Sequence, residues 1–78
     1  MFVSVKNLIV MIDKDIQFLN EAYDSRGNHS EKVFEAYVEM MTDKLDARFE
    51  KLCQISSNKQ LIEKYKQKIE EVKKVLES

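Results

Sequence analysis

The stretch from residue 5 to residue 23 carries more apolar surface than one face of a helix can hold, and the rest of the chain must be arranged to cover it. Val5, Ile9, Ile12, Ile16, Leu19 and Tyr23 follow the alternating four-three spacing that lays one seam along a helix, and Leu8 widens it. Met11, Phe18 and Ala22 fall outside that seam. At roughly 100° per residue they sit on a flank beside it, with Val10 farther round, so the segment asks for two packing partners. With no proline and a single glycine, Gly27, the chain has nothing to punctuate strands or hairpins, and the expected class is all-α. A short strand over residues 2–6, where apolar residues alternate with Ser4 and Lys6, is the local alternative.

Seventy-eight residues make a single helical domain, 1–78, close to the size at which one core only just outweighs the entropy of folding. A second subunit would add useful burial, so a homodimer is expected. The formal net charge of -1 advertises no basic field for nucleic acid, and the partner is expected to be a protein. One cysteine, Cys53, leaves no internal disulfide and suits a reducing compartment, with the cytoplasm as the default. The N-terminal residues show no secretory leader pattern, and the apolar run 8–12 is too short to span a bilayer. No membrane role is expected.

Along the chain, a helix is expected from near Ser4 to near Tyr23, stopped by the polar run 24–29, which holds the glycine. Asn28 with Glu31 has the pattern of a capping box, with Ser30 as the alternative cap of a second helix. On that helix Phe34, Tyr37, Val38, Met41, Leu45, Phe49, Leu52 and Ile55 form a core stripe, while Glu35, Glu39, Asp43, Asp46 and Glu50 form an acidic ridge away from it. Phe34, Met41, Ile55, Ile62, Ile69 and Leu76 share one seven-residue line, interrupted by Arg48. Near Ser56, Ser57 and Asn58 two readings stand. A break, with Ser57 and Gln60 as a capping box, gives a three-helix antiparallel bundle with coiled-coil-like seams. No break gives a helical hairpin with one long C-terminal helix of roughly 70 Å, which would need a second chain. The companion positions slip by one residue across the serines, which favours the break. The last segment carries its own seam at Ile62, Tyr65, Ile69, Val72 and Leu76.

Little in the sequence carries chemistry. His29 lies in the polar turn and reads as a solvated loop residue; Cys53 borders the apolar stripe and reads as a small buried or half-buried hydrophobe. On an unbroken second helix the two stand about 36 Å apart, so no dyad forms within one chain. There is no Glu-x-x-His pair, calcium loop, phosphate loop or zinc motif, so neither a metal nor a cofactor is expected, and no enzymatic activity. The acidic ridge reads as a solvated face or a docking surface for a basic partner. Met11, Phe18, Ala22, Val33 and Met40 are the candidate interface, being apolar, on helix flanks, and more than a three-helix core needs. The expected function is therefore protein–protein interaction, as an adaptor, inhibitor, chaperone-like factor or regulatory subunit that self-associates. The alternative is a small nucleic-acid-associated regulator that presents Lys59, Lys66 and Lys73 of the lysine-rich last segment. Heptad seams and caps are common to helical bundles and single out no family.

Overall fold

A computed structural model describes residues 4–77, and among them the regular structure is entirely helical. Helix α1 spans Val5–Asp24, a single 3-10 turn spans Arg26–Asn28, α2 spans Glu31–Ile55 and α3 spans Lys59–Glu77. Val5 and Lys6 are helical, which removes the strand alternative where it can be judged; residues 2 and 3 lie outside the described residues.

Each helix starts where a side-chain oxygen can replace a missing backbone partner. Ser4 Oγ accepts from the Asn7 N–H at 3.1 Å and opens α1. Ser30, not Asn28, caps α2: its Oγ accepts from the Val33 N–H at 3.2 Å, while the Asn28 N–H is used in the 3-10 turn, donating to the Ser25 carbonyl. Two side chains finish α1. Ser25 Oγ donates to the Glu21 carbonyl at 3.0 Å, and Arg26 Nη1 donates to the Tyr23 carbonyl at 2.7 Å while its guanidinium lies 3.8 Å from the Tyr23 ring centroid.

The chain does break at the serines. Ser56 is extended, Ser56 Oγ accepts from the Asn58 N–H at 3.2 Å, and Asn58 Oδ1 accepts from the Leu61 N–H at 3.1 Å. Asn58 therefore caps α3, in place of the expected Ser57. The long-arm hairpin is excluded.

Cross-helix contacts set the directions. Asp15 meets Arg48 and Ala22 lies beside Val33, so α1 and α2 are antiparallel. Asp46 meets Lys73 and Val38 lies near Leu76, so α2 and α3 are antiparallel as well. Asp13 meets Tyr65 and Lys68, while Ile16 and Asn20 border Val72 and Val75, so α3 runs parallel to α1. The core is one cluster of Leu8, Ile12 and Leu19 from α1, Met41, Leu45 and Leu52 from α2, and Tyr65, Ile69 and Val72 from α3.

The seam of α1 differs from the expected one. Its buried line is Leu8, Ile12, Asp15 and Leu19, whereas Val5, Ile9 and Ile16 are only half-buried and pack against the core from one side. The reason is that α1 and α2 pack much more closely than either packs on α3, so the face of α1 turned to α2 is the one sealed. The helices also spread. The radius of gyration is 13.3 Å, against about 11.5 Å for a compact chain of this length.

Candidate functional site

The α1–α2 pair has two long grooves, one on each side, and α3 fills one of them. On the other side α1 and α2 meet with nothing over them. Near the turn this open groove is a hollow of about 260 Å³ walled by Phe18, Ala22, Val33, Phe34 and Tyr37, with Glu21 and His29 at its rim. Farther from the turn it continues as a hollow of about 400 Å³ between Met11, Phe18, Tyr37 and Met41, with Lys14, Lys44 and Arg48 around it. Phe18 and Tyr37 belong to both halves, so the groove is continuous.

Four of the five expected interface residues line it. Met11 and Ala22 are half-buried in its walls, while Phe18 and Val33 stand 46% and 57% exposed. Met40, 47% exposed, lies outside the lining, on the same outer edge of α2 as Val33 and two turns along. Exposed apolar side chains scattered singly, as Val10, Ile55 and Val75 are, are ordinary; Phe18 and Val33 instead share the wall of one groove.

The floor of the groove holds a feature that the sequence reading passed over. Asp15 is 3% exposed, the one buried charged residue among those described, and Arg48 Nη1 donates to both of its carboxylate oxygens at 2.6 and 2.5 Å. The Arg48 side chain is 32% exposed and reaches the groove surface. A buried carboxylate without a partner would carry a large desolvation cost, so the two residues stand or fall together. Both were visible as irregularities. Arg48 interrupts the seven-residue apolar line of α2, and Asp15 falls three residues after Ile12 and four before Leu19, in seam spacing. Two opposite charges breaking two seams were the available signal.

Other expected features resolve differently. Cys53 is exposed, neither buried nor half-buried. His29 is exposed, as a turn residue should be, yet it also edges the open groove. The acidic ridge is not wholly remote from packing: Asp46 accepts from Lys73 Nζ at 2.8 Å across the α2–α3 joint. Lys68 is likewise drawn to Asp13 at 3.6 Å, and Tyr65 donates its hydroxyl hydrogen to Asp13 at 3.1 Å. The Tyr65 ring is buried while its hydroxyl reaches this rim. Burial first, then the hydrogen bond and charge of Asp13, raises its pKa above the ordinary 10.0.

Among the described residues no three His, Cys, Asp or Glu side chains lie close enough to hold a metal ion. No helix among them is long and apolar enough to cross a membrane. No protein-family model, no curated protein and no solved structure matches the chain.

Proposed function

We propose that this protein acts by binding another polypeptide through the open α1–α2 groove, as an adaptor, inhibitor, chaperone-like factor or regulatory subunit, and that it performs no catalysis of its own. One observation carries the reading: Phe18 and Val33, each about half exposed, line together the groove of the α1–α2 pair that α3 leaves open, with the exposed Met40 two turns along α2 from Val33. A groove between two antiparallel helices, apolar along its walls and charged at its edges, has the shape and chemistry to seat the apolar side of a further helix. A homodimer is the simplest assembly to supply one. The single, unpaired cysteine fits a reducing compartment such as the cytoplasm.

The test uses dilute protein and an anionic apolar dye, anilinonaphthalene sulfonate. The wild-type chain should brighten the dye, and Phe18→Glu with Met40→Glu should abolish the signal while circular dichroism stays fully helical. A signal indifferent to these substitutions overturns the groove as a docking surface. So does loss of helicity, because it would make the two residues part of the core.

Binding to nucleic acid through α3 is the second reading, supported by the exposed Lys59, Lys64 and Lys66. It is weakened by Glu63 among them and by the ion pairs that hold Lys68 and Lys73. A mobility shift that falls steeply as salt rises would favour it, and no shift at low salt removes it.

A further inference from the structure

The open groove is polar at its ends in opposite senses. Lys14, Lys44 and Arg48 surround the half far from the turn, and Asp15, the acid among its lining residues, is already held by Arg48. Glu21 stands at the half near the turn. Among the described residues Lys14 forms none of the ion pairs, and the Glu21 carboxylate accepts a neutral amide hydrogen bond from Gln17 Nε2 at 3.1 Å. The surface thus carries its own electrostatic complement, displaced along the helix.

Two copies can stack this side face to face with two-fold symmetry in two principal ways. An axis parallel to the helices lays the basic half of one copy over the basic half of the other, which is repulsive. An axis across the helices, in the plane of the contact, turns the basic half of each over the acidic half of its mate, which is attractive. Taking the groove as the docking surface proposed above, we infer that its occupant is a second copy of this chain, related by the second kind of axis passing near Phe18 and Tyr37. Helix α1 then lies antiparallel to its counterpart. Lys14 precedes Phe18 by four residues and Glu21 follows it by three, so Lys14 faces Glu21 of the partner subunit, twice by symmetry. On α2, Val33 and Met40 bracket Tyr37 with the same offsets, so Val33 meets Met40 of the partner subunit. That places Met40, which lies outside the groove of a single copy, in the contact.

The experiment measures dissociation constants by sedimentation or light scattering for the wild type, Lys14→Glu, Glu21→Lys, the double reversal Lys14→Glu/Glu21→Lys, and Phe18→Glu. The expected result is a wild-type dimer, weakened about tenfold or more by either single reversal because two repulsive pairs replace two attractive ones. The double reversal should bring affinity back to within about threefold of the wild type. Both charged side chains are exposed, so circular dichroism, and melting at concentrations where the chain is monomeric, should not move. If the single reversals weaken the dimer and the double reversal does not restore it, or if none of them matters while Phe18→Glu dissociates it, the antiparallel arrangement is overturned and the groove remains the docking surface. A dimer indifferent to Phe18→Glu overturns both. A wild type that stays monomeric at millimolar concentration overturns the second copy as occupant, and the dye experiment then decides the groove independently.

Discussion

The two grooves of the α1–α2 pair are built from the same two helices and end in different states. On the α3 side the walls are aliphatic and the occupant is tethered by a short joint. Tyr65, Ile69 and Val72 are drawn into the core, and the edges are closed by Asp13 with Tyr65 and Lys68, and by Asp46 with Lys73. On the open side the walls are Met11, Phe18 and Tyr37, the floor is the Asp15–Arg48 pair, and Lys14 and Glu21 at the edges form no ion pair among the described residues. The difference shows that apolar character alone does not decide which groove is closed. On the α3 side Asp13 with Lys68 and Asp46 with Lys73 bridge the helices, whereas Lys14 and Glu21 on the open side form none of the ion pairs found among the described residues.

The largest effect expected is on the shared wall beneath the filled groove. Leu45 is fully buried, so Leu45→Ala should cost about 3 kcal/mol and lower the melting temperature by roughly 10–20 °C. Phe18→Ala, on the open side, should cost under about 1 kcal/mol in the monomer despite removing a larger group. Equal losses would erase the distinction between the two sides.

The groove floor comes next. Arg48→Met leaves the buried Asp15 carboxylate without its partner and should cost about 2 kcal/mol, reduced from the fully buried case because the Arg48 side chain is one-third exposed. Asp15→Leu should cost less, since the freed guanidinium can swing into water, and the double variant Asp15→Leu/Arg48→Met should be near the wild type. Denaturant midpoints of the three variants provide the check. A double variant as unstable as Arg48→Met would make the pair an anchor for something beyond its mutual neutralisation.

Smaller still is the alkaline response of the filled side. The folded chain holds the Tyr65 hydroxyl neutral above its usual pKa of 10.0, so its contribution to stability is complete below pH 10. It is lost as the pH rises from 10 through the raised folded value, because the unfolded chain ionises first. Melting followed from pH 8 to 11 should decline, and Tyr65→Phe should flatten that part of the curve. The smallest effect is Phe18→Glu, which should change monomer stability by less than about 0.5 kcal/mol while removing self-association.

How much of this was legible follows from what each signal depends on. Ser4 and the spacing of the α1 apolar residues predict a helix that ends close to where it does, because caps and periodicity are local. Of the two caps the sequence offers for α2, Ser30 and not Asn28 is used, and Asn58 takes the place expected of Ser57, because the winner depends on which backbone amide the preceding turn leaves free. The break itself rested on a one-residue slip in phase, with no glycine or proline to force it. Gly27 marks the turn, but neither its backbone angle nor nearby atoms require a glycine there. The rotation of the α1 seam toward Leu8 and Asp15 could not be read from α1 alone. It depends on how closely α2 approaches, and on Arg48 arriving from a different helix to make Asp15 tolerable.

The joint between α2 and α3 has one further consequence. Ser56 and Asn58 side-chain oxygens, acting on two amides, hold the corner at which the chain turns back. Were that corner to straighten, α3 would be carried out along a rod and could recover Tyr65, Ile69 and Val72 contacts only on the hairpin of a neighbouring molecule, trading arms without changing a single core residue. The corner that keeps α3 on its own hairpin is thus held locally by a hydroxyl and a carboxamide.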